Sequence, residues 1–165
     1  MTTAYRPGAT PNPGGQDTPR ETVLEVRNLR LGTLDGTEIL HGIDFDLHRG
    51  EIVGLVGESG CGKSTVARTV LRLVEPTSGA IRLDGEDIAP LSKSALRPYR
   101  RSMQIVFQDP FASLNPRMTA GDIVGEPLTV HGLARGVKKQ DRVAELFQQV
   151  GLRADQMKNF PHQFS

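Results

Sequence analysis

The sequence predicts an α/β fold on the strength of three consecutive segments. Residues 52–56 form a short apolar run without polar alternation, which is typical of a strand covered on both faces. A glycine-rich turn follows at residues 57–62. A strand, a tight turn and a helix in this order form the repeating unit of α/β folds. The helix is indicated by apolar residues at helical spacing, at Val66, Val70, Leu73 and Val74.

The composition narrows the class of protein. A chain of 165 residues, 37% hydrophobic and 24% charged, is long enough for one globular domain with a core. Lys and Arg (20) nearly balance Asp and Glu (19), so we expect no nucleic-acid partner. No apolar run approaches the roughly 18 residues that a bilayer span needs. A single cysteine, Cys61, and an N-terminus without an apolar leader predict a cytoplasmic location.

The first twenty residues differ from the rest in composition. Residues 1–20 contain Pro7, Pro11, Pro13 and Pro19 among glycines and polar residues, with almost nothing that could anchor a core. This composition predicts a disordered tail. The folded domain is therefore expected at residues 21–165.

Four further strands are predicted from apolar patterns. Residues 23–29 indicate a first strand, and residues 39–48 alternate between apolar and polar, as a half-buried strand does. Residues 80–83 indicate a short strand that ends at the turn formed by Asp84 and Gly85. Residues 103–107 are again continuously apolar and predict a buried strand.

Two helices are predicted beyond the first one, which is expected to end before Pro76. Residues 91–101 favour a helix that Pro98 interrupts. Residues 138–150 favour an amphipathic helix capped by Gly151. Its inward residues are expected to be Val143, Leu146, Phe147 and Val150.

The glycine-rich turn and the start of its helix match a P-loop. The nine residues are Gly57, Glu58, Ser59, Gly60, Cys61, Gly62, Lys63, Ser64 and Thr65. The glycines allow successive N–H groups to converge on an anion, and the helix start adds unpaired N–H groups. Lys63 can reach the β- and γ-phosphates of a nucleoside triphosphate, Ser64 can ligate Mg²⁺, and Thr65 can contact the α-phosphate. The alternative, a purely structural glycine-rich turn, is disfavoured by the strand before it and the helix after it.

Cys61 lies inside this loop, where the backbone matters more than the thiol. We therefore expect no catalytic role for it, although modification of an accessible thiol there would block nucleotide binding sterically. The four histidines show no metal-ligand spacing.

The motifs around the P-loop resemble those of the nucleotide-binding subunit of an ATP-binding cassette (ABC) transporter. Within that superfamily the chain is similar to the dipeptide, oligopeptide and nickel importer group. The superfamily resemblance is carried by residues 57–65, 75–79, 84–85 and 105–110, and the importer resemblance by residues 107–119, 125–128 and 160–165.

The resemblance implies a fold, a reaction and partners. The fold would be that of a P-loop NTPase, with an incomplete parallel sheet, an N-terminal antiparallel β subdomain and a partial helical subdomain. The chain would bind ATP and Mg²⁺ and, as an ATP hydrolase, power peptide import. Lys63 and Gln108 would be its catalytic residues, with Ser64 and Gln108 contacting Mg²⁺.

The resemblance also implies where partners bind. The segment that begins near Phe111 and ends near Glu126 would contact the transmembrane permease subunits. A second ATP-binding subunit, identical or related, would complete the ATP site. The protein would then be peripheral on the inner face of the cell membrane. A non-transport ABC protein acting on DNA or ribosomes is disfavoured, because the residues from Gln108 onward resemble importers.

The sequence departs from the family in two respects. It reaches Ser165 at the first residue of the Ser-Gly-Gly-Gln signature, so the domain is expected to be truncated before the signature, the Walker B acid and the switch histidine. Two strands would then lack hydrogen-bonding neighbours, which predicts that the chain alone folds poorly or adheres to other proteins. Residues 31–34 contain no aromatic residue to stack on adenine, which predicts weak or promiscuous base selection. The alternative function is a nucleotide-binding fragment without turnover.

Overall fold

The computed structural model describes residues 20–109 and 113–164, together with the backbone of Thr3–Tyr5. The chain folds as two compact units, Met1–Met103 and Gln104–Ser165. The predicted tail at residues 1–20 lies outside the described residues, apart from residues 3–5 and Arg20. Residues 3–5 form a short strand, β1 (Thr3–Tyr5), that the sequence did not predict.

An antiparallel sheet of four strands organises the first unit. The strands are β2 (Thr22–Gly32), β3 (Glu38–His48), β5 (Ser78–Leu83) and β6 (Glu86–Asp87), in the order β3-β2-β5-β6. β2 is central, and its residue Val26 lies opposite Phe45 on one side and Ile81 on the other. β2 buries Val26, Leu29 and Leu31 in one core cluster, and its pairing with β3 is irregular between Val26 and Leu29, which interrupts strict alternation. The strands predicted at residues 23–29, 39–48 and 80–83 are confirmed.

Two glycines with positive φ shape this sheet. Asp84 (φ 49) and Gly85 (φ 85) form the tight turn predicted between β5 and β6. Gly79 (φ 103), in β5, lies directly against β2, where a Cβ would be 2.5 Å from the carbonyl oxygen of Asn28. A side chain at this position would separate the two strands.

The strand before the glycine-rich turn differs from its prediction. Only β4 (Gly54–Val56) is regular, and it pairs antiparallel with β1, Ala4 lying opposite Leu55. Ile52 has 83% of its surface exposed, so the predicted coverage on both faces is wrong. The predicted parallel pairing is also wrong for the described residues, in which every strand pair is antiparallel. An apolar run becomes a buried strand only where neighbouring strands supply hydrogen bonds and cover.

The first helix, α1 (Lys63–Val70), is shorter than its pattern suggests. Val66 and Val70 are buried as predicted, whereas Leu73 is exposed. The helix ends because Arg72 adopts a left-handed conformation with φ 53. The guanidinium of Arg100 donates hydrogen bonds to the carbonyl oxygens of Leu71 and Arg72, which satisfies acceptors at this helix end.

The segment after β6 is less regular than predicted. Residues 93–98 form turns and Tyr99–Arg101 a short 3₁₀ helix, in place of the helix predicted at residues 91–101. Pro98 has no N–H to continue an α-helical ladder. Residues 103–107, predicted as a buried strand, have irregular backbone, and Val106 is 88% exposed. No described strand pairs with them.

Two helices build the second unit. They are α2 (Ala120–Val130) and α3 (Gly136–Gln149), followed by the 3₁₀ helices Ala154–Lys158 and Pro161–Gln163. α3 confirms the helix predicted at residues 138–150 and buries Val143 and Phe147, but Val150 is exposed, contrary to prediction, because the helix has ended before it. Gly151 (φ 77) follows this end, as predicted. Within the described residues, no helix has both the length and the apolar character that crossing a membrane requires.

α2 was not predicted from the sequence. Thr119 is its N-cap, and the Thr119 hydroxyl accepts a hydrogen bond from the N–H of Asp122 at 3.2 Å and donates one to its carboxylate at 2.7 Å. This spacing was a readable start signal. Pro127 inside the helix concealed the pattern.

Candidate nucleotide-binding site

The glycine-rich loop joins β4 to α1 through two left-handed glycines. Gly60 has φ 81 and Gly62 has φ 96, values that residues with a side chain rarely adopt. Between them the N–H of Cys61 donates to the carbonyl oxygen of Glu58 at 3.3 Å. These conformations fold the loop back over the start of the helix.

Lys63 places its charge at the loop. Its Nζ donates to the carbonyl oxygen of Gly57 at 2.9 Å and to that of Glu58 at 2.6 Å. Cys61 Sγ lies 3.7 Å from the same nitrogen. The side chain therefore curls back along the loop, and the ammonium lies where an anion held by the loop would meet it.

The start of α1 offers donors without competing acceptors. Gly62 is the N-cap, no side chain caps the helix, and its first turn contains no acidic residue. The first N–H groups of a helix have no partner within the helix, and they carry partial positive charge. The side chain of Ser64 is exposed and Thr65 is half-buried. The arrangement suits a phosphate group.

The far side of α1 is fixed in the core. Val66 and Thr69 are fully buried, and the Thr69 hydroxyl donates to the carbonyl oxygen of Thr65 at 2.8 Å. The buried threonine hydroxyl is tolerated here because this hydrogen bond satisfies it. Thr69 was not among the site residues predicted from the sequence. Its only sequence signal is a polar residue on the apolar helix face.

A pocket of about 590 Å³ lies beside the loop. It is lined by residues 38–43 of β3 together with Gly60 and Cys61. Its carboxylate, Glu38, accepts a hydrogen bond from Arg30 at 2.7 Å and lies 3.0 Å from the Nδ1 of His41. The Arg30 hydrogen bond, followed by that of His41, lowers the pKa of Glu38, which keeps it ionised. The pocket has no aromatic residue other than His41.

Gln108 belongs to the second unit, whereas the nine P-loop residues belong to the first. Its side chain is exposed, and its backbone is irregular. The segment predicted for partner contact begins at Phe111 and Ala112, which lie outside the described residues, and continues into α2. Within the described residues, no group of three or more His, Cys, Asp or Glu side chains could hold a metal ion.

A comparison with protein-family models identifies the architecture. The model described as ABC transporter matches residues 40–165, which include the whole P-loop. The chain belongs to the ABC transporter family. The predicted family is therefore confirmed.

Relatives within the family are named for peptide transport. A Brucella ovis protein whose name describes it as a peptide import ATP-binding protein is 50% identical over 149 residues, which are 87% of this chain and 46% of that protein. The oligopeptide transport ATP-binding protein OppF of Bacillus subtilis is 45% identical over 88% of this chain and 49% of its own length. The chain thus spans about half the length of the curated relatives it matches.

A solved structure has the same fold. CbiO1 from Clostridium perfringens, described as part of the ABC transporter complex CbiONQ, superposes with a TM-score of 0.69 at 28% identity. The match covers 88% of this chain and 56% of that chain. This confirms the predicted fold class, an ABC-type P-loop NTPase with an antiparallel β subdomain.

Proposed function

We propose that this ABC family chain binds ATP with Mg²⁺ at its P-loop and powers the import of peptides through ATP binding and hydrolysis. The observation that carries the proposal is the position of Lys63, whose ammonium lies against the loop carbonyls of Gly57 and Glu58 beside a helix N-terminus. We propose peptides as the transported solute because the relatives from Brucella ovis and Bacillus subtilis are named for peptide and oligopeptide transport.

Different residues of the loop would contact different parts of the nucleotide. The N–H groups around Gly60 and Gly62 and the first turn of α1 would surround the β-phosphate. Lys63 would exchange its two carbonyl partners for β- and γ-phosphate oxygens, an exchange of weak neutral acceptors for charged ones. The remaining residues of the proposed site are Glu58, Ser59, Cys61 and Thr65, which contribute backbone or hydroxyl contacts.

Magnesium fits the donors that are present. Ser64 exposes its hydroxyl at the helix start, and the described residues offer no carboxylate cage. Mg²⁺ commonly takes few protein ligands and completes its shell with phosphate oxygens and water. It would neutralise charge on the phosphates, while Ser64 and Gln108 supply protein oxygens to it.

Gln108 would connect the nucleotide to the transport partner. Its exposed amide follows irregular backbone and precedes the segment that ends near Glu126. An amide can accept from the attacking water and also ligate Mg²⁺, so its position would report whether a nucleotide is bound. We place it in the proposed site as a catalytic and metal-contacting residue.

Partners would bind on the second unit. A groove of about 410 Å³ there is apolar and includes Leu114, Ile123 and Val124 from the predicted contact segment, together with Phe147 and Phe164. We propose that a helix of the permease subunits docks here and that a second ATP-binding subunit completes the ATP site. The protein would accordingly lie on the inner face of the membrane. Ile123→Asp should abolish co-elution with co-expressed oligopeptide permease subunits, and unchanged co-elution would contradict this surface.

The experiment that tests the function measures ATP binding by titration calorimetry and phosphate release in the presence of Mg²⁺. We expect the chain to bind ATP and Lys63→Ala to weaken binding by about a hundredfold, since a charge-assisted contact is lost. Lys93→Ala, an exposed lysine outside the loop, is the matched control. Absence of ATP binding by the unsubstituted chain would contradict the proposal. Binding without phosphate release, alone and with a full-length relative, would favour the fragment without turnover.

A further inference from the structure

The N-cap glycine of the P-loop helix lies close to a side chain from another element. A Cβ built on Gly62 would lie 3.3 Å from Cδ2 of Leu40 and 3.8 Å from the carbonyl oxygen of Ile39. The same construction at Gly60, two residues earlier, meets nothing within 4 Å. Of these two left-handed glycines, only the one that starts the helix therefore has atoms of β3 close to its Cβ position.

Leu40 is itself held rigidly. It is 1% exposed and belongs to the core cluster that also contains Val66 and Val70 of α1. Its backbone lies opposite Leu31 in the register of β2 and β3. Since tightly packed interiors resist small displacements, Leu40 fixes the distance between the sheet and the helix start.

Gly62 is held through its backbone. It carries no side chain, and its left-handed conformation belongs to a residue with unusual backbone freedom. Its carbonyl oxygen accepts the first bond of the helix, from the N–H of Val66 at 2.8 Å. Lys63 and Ser64 follow immediately. A shift of Gly62 therefore moves the phosphate-facing N–H groups and the lysine together.

We infer that Leu40 is a positioning residue of the nucleotide site, acting through Gly62 to fix the geometry of the phosphate-binding loop. The inference rests on the proposed function, because it concerns ATP affinity. Leu40 is 1% exposed. Its contribution is the shape of the loop, and small misplacements of binding groups cause large losses.

The test compares Leu40→Ala with Leu29→Ala. Leu29 is fully buried in the same core cluster but lies on β2, and among the described residues it is not within 4 Å of a Cβ built on Gly60 or Gly62. Both changes remove the same atoms from one core. ATP with Mg²⁺ is titrated at a temperature at which circular dichroism shows each variant folded. If either alanine variant unfolds, Leu40→Val and Leu29→Val replace the pair.

We expect Leu40→Ala to raise the Kd for ATP about tenfold or more, Leu29→Ala to change it less than about threefold, and Leu40→Met to restore most of the affinity. Equal losses in the Leu40 and Leu29 variants would overturn the inference while leaving the proposed function intact. A lack of binding by the unsubstituted chain would overturn the proposed function and this inference with it. Melting midpoints of the paired variants separate a loss of affinity from a loss of stability.

Discussion

The conformation of the phosphate-binding loop depends strongly on Gly62. With φ 96 and Leu40 Cδ2 at 3.3 Å from a built Cβ, Gly62→Ala would incur both backbone strain and a close contact. We expect this variant to weaken ATP binding by at least about tenfold. Titration calorimetry measures the change.

The matched control for that substitution is Gly50→Ala. Gly50 also has a positive φ, 75, but a Cβ there meets nothing within 4 Å and the residue lies outside the P-loop. Gly50→Ala should lower stability by about 1–2 kcal/mol through the same backbone strain and leave affinity unchanged. Equal affinity losses in the two variants would mean that global destabilisation, and not loop geometry, accounts for the effect.

Some residues of the site could be predicted from the sequence and others could not. The P-loop could be predicted because its residues are consecutive and each has a role fixed by local backbone chemistry. Leu40 could not, since its proximity to Gly62 joins residues far apart in the chain and depends on how β3 packs near the start of α1. Thr69 was hidden for the same reason, because its burial depends on tertiary packing.

At the scale of elements, a pair of arginines connects α1 to the segment after β6. Arg72 donates to the carbonyl oxygens of Ile88 and Leu91, at 3.2 and 3.0 Å. Arg100 in turn donates to the carbonyls at the end of α1, that of Arg72 at 2.9 Å. Each guanidinium therefore holds the backbone of the other segment, and the positive charges lie near the negative end of the helix dipole.

Removal of one of these guanidinium groups should loosen the helix end. We expect Arg100→Ala to lower the free energy of unfolding by about 1–3 kcal/mol, because two partly buried carbonyl oxygens lose their donors. Arg100→Lys should recover only part of this loss, since an ammonium lacks the planar fork. Urea denaturation measures the differences. Arg101→Ala, at an exposed neighbour, is the control, and a loss as large there would contradict the assigned role.

Elements were predictable where their signals are local. The hairpin of β5 and β6 follows from Asp84 and Gly85, and α3 follows from its apolar spacing. Residues 52–56 and 103–107 are both apolar enough to be buried, yet the first run forms only the short strand β4 and the second forms none. Apolar character alone does not make a strand, however, because the backbone also needs a hydrogen-bonded neighbour.

For the molecule as a whole, hydrogen-bonded surface carboxylates give stability a dependence on pH. Hydrogen bonds from Arg49, Thr33, Arg30 and Arg153, respectively, are the largest causes that lower the pKa of four exposed carboxyl groups: Glu21, Asp35, Glu38 and Asp155. In the unfolded chain these groups have their ordinary pKa values, 4.5 for Glu and 3.8 for Asp. At a pH near those values, the unfolded chain therefore binds more protons than the folded one.

The sign of that dependence follows from linkage. The contribution of these carboxylates is fully present above their unfolded pKa values and is lost as pH falls through the lower folded ones. We expect the urea midpoint to decrease as pH falls below about 4.5, and to decrease less in about 1 M salt, because exposed pairs are screened. A midpoint that rises on acidification would contradict these shifts.

Exposed apolar side chains predict that molecules of this chain self-associate. Ile52 beside β4 and Val106 in the irregular segment are both largely exposed, and exposed apolar side chains promote association. We expect the chain to self-associate at concentrations of about 10 μM and above, as sedimentation velocity would show. The double variant Ile52→Lys with Val106→Lys should reduce this association strongly.

The control is the double variant Leu34→Lys with Leu133→Lys. It adds the same charge at two exposed turn positions and should reduce the association little. Equal reductions would attribute the effect to net charge, and a monomeric unsubstituted chain over this range would refute the prediction.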